Sequence, residues 1–89
     1  MNHTDRDEPF DFPCRFPIKA IGSGDDLDLI VCEIIRRHAP NLGESAVSTR
    51  SSSKGNYTAV TVTITAESRQ QLDNIYLELT AHDRITMAL

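Results

Sequence analysis

Apolar residues fall on every second position through Phe10, Phe12, Phe16, Ile18 and Ala20, and the alternation ends at Gly22. A period of two predicts a β-strand over residues 14–22 with Phe16, Ile18 and Ala20 on one face. Pro13 and Pro17 limit it. Proline has no N–H to give a ladder, so Pro17 belongs where that donor would be unpaired, or at a bulge. From residue 27 the period changes. Leu27, Ile30, Val31, Ile34 and Ile35 recur at the spacing of a single buried helical stripe. Asp25 is placed to cap this helix, Asp26 and Asp28 suit the positive end of its dipole, and Arg36, Arg37 and His38 suit the negative end. Pro40 disfavours a helical Ala39 and stops it.

Residues 44–52 hold one large aliphatic, Val47, among Ser48, Thr49, Arg50, Ser51 and Ser52, a pattern that suits an exposed edge strand. Lys54, Gly55 and Asn56 predict a hairpin turn in which Gly and Asn take positive φ. The strand that follows, 56–65, is the clearest in the chain: Val60, Val62 and Ile64 point one way, and Ala59, Thr61, Thr63 and Thr65 the other. Ser68 followed three residues later by Gln71 is a capping box, and Leu72, Ile75, Tyr76 and Leu79 form a second helical stripe ending near His82. Ile85, Met87 and Leu89 alternate in a last strand.

The order βαββαβ predicts an α+β fold. It is a ferredoxin-like sandwich with a four-stranded antiparallel sheet, strands one and three central and both helices on one face. One domain should span 12–89. The other sheet face is then left uncovered and should carry Lys19, Ile21, Tyr57, Ala59, Thr61, Thr63, Thr86 and Ala88.

Charge is unevenly spread. Residues 1–11 place Asp5, Asp7, Glu8 and Asp11 against Arg6, while the rest of the chain is nearly balanced, within a net charge of −4. The first eleven residues read as a disordered acidic tail. A nearly neutral domain argues against nucleic-acid binding through phosphate neutralisation, and Tyr57 is the one aromatic ring on the uncovered face. No apolar run suits a signal peptide or a membrane span, so a cytoplasmic protein that binds no membrane is expected.

Catalytic chemistry is hard to assemble. Cys14 and Cys32 lack metal or redox spacing, Cys32 reads as a packed hydrophobe, and no cofactor or metal is expected. His3 lies in the tail, and His38 and His82 fall at helix C-termini. Ser51, Ser52 and Ser53 have no activating context, and Lys54-Gly55 is not a phosphate loop. The expectation is a protein that is not an enzyme.

Phe12-Pro13 with Phe16, Lys19 and Gly22, then Arg37-His38-Ala39-Pro40, then Ser52-Ser53-Lys54-Gly55-Asn56-Tyr57 with Val60 and Ile64 resemble the YbeD-like family of small bacterial proteins of unknown function. The resemblance covers roughly residues 10–89, including the Met87-Ala88-Leu89 ending. It implies a fold similar to the ACT regulatory domains of amino-acid metabolic enzymes, and no catalytic residue. The turn Gly22-Ser23-Gly24-Asp25 is one residue shorter than the family's.

Two functions follow as expectations. One is a regulatory or protein-interaction module that binds a partner or itself through the uncovered face, the edge strand 44–52 and the turn, with Lys19, Ser53, Lys54, Gly55, Asn56 and Tyr57 as contacts. The other is an ACT-like sensor of a small metabolite, an amino acid, bound at Gly22, Ser23, Gly24 and Asp25. There the resemblance places ligands, and glycines leave backbone N–H groups approachable.

Overall fold

A computed structural model describes residues 11–42, 46–52 and 55–89. Strand β1 (Cys14–Gly22) leads to helix α1 (Leu27–His38). Strands β2 (Val47–Ser51) and β3 (Thr58–Ala66) form the hairpin, and helix α2 (Arg69–Thr80) precedes strand β4 (Ile85–Ala88). The four strands make one antiparallel sheet in the order β2-β3-β1-β4, with β1 and β3 central. This is the α+β ferredoxin-like arrangement that the alternation of periods predicts. Tail residues 1–10 and the turn residues Ser53 and Lys54 lie outside the described residues.

Strand parity builds the core. Ile18 and Ala20 of β1 and Val60, Val62, Ile64 and Ala66 of β3 are buried against Leu27, Val31, Ile34 and Ile35 of α1 and Leu72, Ile75 and Leu79 of α2. Each large side chain hidden this way contributes about 1.5–3 kcal/mol. Phe16 packs at the margin of this cluster, half-buried. Pro17 sits opposite Thr63 on β3, while pairing with β4 stops at Lys19, whose N–H donates to the Leu89 carbonyl. The proline therefore lies past the end of the β4 ladder, where its missing donor costs nothing.

Three local expectations are corrected. Asp26, not Asp25, is the residue before α1, and its side chain makes no capping bond because Arg84 takes it. Gly55 has positive φ (71°), but Asn56 does not; Ser52 organises the turn instead, its Oγ accepting from the N–H groups of Asn56 (3.0 Å) and Tyr57 (3.2 Å). In β4 a bulge inserts one residue: Gly22 pairs with Ile85, but Ile21 pairs with Met87 and Ala20 with Ala88. The bulge breaks the simple alternation. Ala88, expected on the uncovered face, packs on the helix side, and Met87 takes the outer face.

The capping box forms with a variation. Ser68 Oγ accepts from Gln71 N–H (3.1 Å), while Gln71 Oε1 accepts from the N–H of Glu67 rather than from that of Ser68 (2.7 Å). Gln71 Nε2 also donates to the His38 carbonyl at the end of α1 (2.7 Å), joining the two helices.

Candidate functional site

Both helices pack on one side of the sheet, so the opposite side is built from the other parity of every strand. On antiparallel strands, directly paired residues project to the same face. One cross-strand row is therefore Arg50, Ala59, Ile21 and Met87, and the next is Ser48, Thr61, Lys19 and Leu89. Beyond these, Thr63 stands opposite Pro17, and Thr65 opposite Arg15. The centre is apolar and partly exposed: Ile21 is half-buried, while Met87 is 47% and Leu89 61% exposed.

Cations surround this centre. Arg15, Lys19 and Arg50 are exposed, and none has a carboxylate partner among the described residues. No acid occupies a described strand position on this face. The expected Lys19, Ile21, Ala59, Thr61 and Thr63 are brought together here. Arg15, Arg50, Met87 and Leu89 join them and were missed. The two arginines were legible, since Arg15 shares the parity of Lys19 and Arg50 that of Ser48; Met87 was hidden by the bulge. Tyr57, 55% exposed, sits at the hairpin end, where its carbonyl accepts from Ser52 N–H (2.8 Å).

The turn Gly22–Asp25 has a different character. Arg84 lies across it: Nε donates to the Ser23 carbonyl (3.1 Å), and the guanidinium forms a two-pronged ion pair with Asp26. The Ser23 N–H in turn donates to the Arg84 carbonyl (3.1 Å). A Cβ on Gly22 would collide with that carbonyl, and one on Gly24 (φ 107°) with the guanidinium itself. The hydrogen bond from Arg84 is the main cause holding the Asp26 carboxyl below its ordinary value. Buried Thr58 donates from Oγ1 to the Gly24 carbonyl (3.1 Å). Asp25 is exposed and takes no part in this network.

Residues 7–89 match a family described as "Protein of unknown function (DUF493)". A "UPF0250 protein" of Chromobacterium violaceum is 51% identical over 86 residues, covering 96% of this chain and 97% of that one. Proteins of the same description from Neisseria gonorrhoeae (44% identical, 89% and 88% covered) and Ectopseudomonas mendocina (44% identical, both chains covered fully) agree. The chain belongs to the DUF493 family. It is the group of small bacterial proteins that the YbeD-like motifs point to.

Those motifs fall at distinct places in the DUF493 fold. The Arg37–Pro40 segment ends α1, where Arg37 and His38 both reach Glu78 of α2, the latter from Nε2 at 2.8 Å. A cleft of about 350 Å³ opens beside it between Pro40, Thr65, Gln71 and Arg15. His82 lies after α2, its Nδ1 accepting from the Arg84 N–H (3.2 Å). Cys32 is half-buried, and burial pushes its thiol above the ordinary value. Among the described residues no group of three or more His, Cys, Asp or Glu is placed to hold a metal ion, and no helix is long and apolar enough to cross a membrane.

Proposed function

We propose that this protein is a non-enzymatic interaction module that docks a partner protein on its uncovered sheet face, with the hairpin end at Tyr57 extending the contact. The observation that carries this reading is the composition of that face: an apolar centre of Ile21, Met87 and Leu89 surrounded by cations that have no carboxylate partner among the described residues. Met and Arg are enriched in protein interfaces. Antiparallel sheets tolerate one solvated face, but here polar and cationic positions surround an apolar centre that stays partly exposed.

The amino-acid-sensor reading at Gly22–Asp25 draws less support. The space over Gly22 holds the Arg84 carbonyl and that over Gly24 the Arg84 guanidinium, whose partner is Asp26.

Photo-crosslinking in cells tests the docking reading. A photoreactive residue replacing Thr61 on the sheet face should give discrete adducts, and one replacing Asn74 on the exposed side of α2 should not. Identical adduct patterns from the two positions would contradict it.

A further inference from the structure

We propose that the partner element taken by this face is a short acidic segment, whose carboxylates meet Arg15, Lys19 and Arg50 while apolar residues between them cover Ile21, Met87 and Leu89. The proposal rests on the docking reading above and adds the chemistry of the occupant.

Size argues for a segment. Four strands about 4.8 Å apart, read over seven residues at about 3.4 Å each, give a flat footprint of roughly 450 Å². An interface of standard size between folded proteins buries about 800 Å² on each partner.

Charge chooses the occupant. Three of the nine basic residues of a chain with net charge −4 are collected on this face, and its described strand positions carry no carboxylate to neutralise them. A second copy docked by two-fold symmetry would set the same patch against itself and oppose cation to cation. A single-stranded nucleic acid would want aromatic rings on the central strands, but β1 and β3 present Arg15, Pro17, Lys19, Ile21, Ala59, Thr61, Thr63 and Thr65 here. An acidic segment satisfies the cations and the apolar centre together. Along β1, Arg15 and Lys19 stand about 14 Å apart, so its carboxylates need a matching separation with apolar residues between.

The experiment pans a display library of random peptides of about a dozen residues against the full chain, then maps the most enriched synthetic peptide by amide chemical shifts. The expected result is enrichment of net-acidic peptides that contain apolar residues, with shifts confined to open-face positions of the four strands, Arg50 of β2 included. Affinity should fall with added salt, and reversing Arg15, Lys19 and Arg50 to Glu together should weaken it roughly tenfold or more. Peptides without acidic bias that map to this face would overturn the acidic specificity and leave the docking reading standing. No enrichment, or shifts elsewhere, would overturn both. Comparable binding of an oligothymidylate at these amides would assign the face to nucleic acid instead. Shift changes there on neutralising Asp5, Asp7 and Glu8, without peptide, would assign it to the chain's own N-terminus.

Discussion

Ile21 and Met87 stand directly opposite each other on the side of the sheet that no helix covers, brought into register by the bulge that separates this pair from Gly22 and Ile85. Because of that one inserted residue, Met87 looks outward and Ala88 inward. Met87→Ser should therefore change stability by no more than about 0.5 kcal/mol in urea unfolding, as for other exposed sites. Ala88→Asp, which buries a carboxylate against the core, should cost about 1–3 kcal/mol. Uninterrupted alternation from Ile85 would give the opposite ranking.

Gly22 and Gly24 both lie under Arg84 but meet different parts of it. Gly22→Ala would press on a backbone carbonyl and should cost roughly 2–3 kcal/mol, and Arg84→Ala should not relieve it. Gly24→Ala meets the movable guanidinium, so Arg84→Ala should remove the collision and leave the strain of a positive φ, about 1–2 kcal/mol. Thermal unfolding of the two double variants beside the single ones separates the cases. An equal rescue at both positions would contradict the geometry.

Asp26 sits below its ordinary pKa of 3.8, chiefly because Arg84 donates to its carboxylate. A carboxyl depressed in the folded state stabilises that state above its unfolded pKa and loses the contribution as pH falls through the folded value. The melting-temperature gap between the native chain and Asp26→Asn should hence be constant from about pH 5 to 7, narrow below about pH 4 and close at lower pH. A gap that persists unchanged in acid would mean that the pair does not contribute through charge.

Gln71 makes three bonds: its backbone N–H donates to Ser68 Oγ, its side-chain oxygen accepts from Glu67 N–H and its Nε2 donates to the His38 carbonyl. Ser68→Ala should cost about 1 kcal/mol as a lost cap. Gln71→Leu should cost more, about 1–2 kcal/mol, because it removes the exposed bond to Glu67 and the half-buried bond to the His38 carbonyl at once. Chemical denaturation of both variants checks the order.

Most of the fold was legible because period and parity are local. Leu27 to Ile35 could only be one stripe of a helix, and Val60, Val62 and Ile64 could only share a strand face. Ser68 and Gln71 announced their cap for the same reason. The parts that were not legible depend on distant residues. Nothing near Asp26 shows that Arg84 would claim its carboxylate, so Asp25 looked like a cap and the glycines looked like room for a ligand. The bulge at Ile21/Gly22 is a property of two strands separated by most of the chain, and the alternation of Ile85, Met87 and Leu89 conceals it. The cationic face lay in between. Arg15 and Arg50 occupy the right parity in plain sight, but their significance depends on the pairing that sets β1, β3 and β2 side by side.

The central claim is that the uncovered face, not the chain's charge at large, binds the partner. The most direct measurement is the affinity of the enriched acidic peptide for Lys19→Glu and for Arg69→Glu, by isothermal titration at fixed salt. Both variants change net charge equally, but Lys19 lies amid the sheet face and Arg69 in the first turn of α2, paired with Asp73. Lys19→Glu should bind several-fold more weakly, as for the loss and reversal of one exposed ion pair, and Arg69→Glu should bind as the native chain does. Equal weakening in both would contradict the claim.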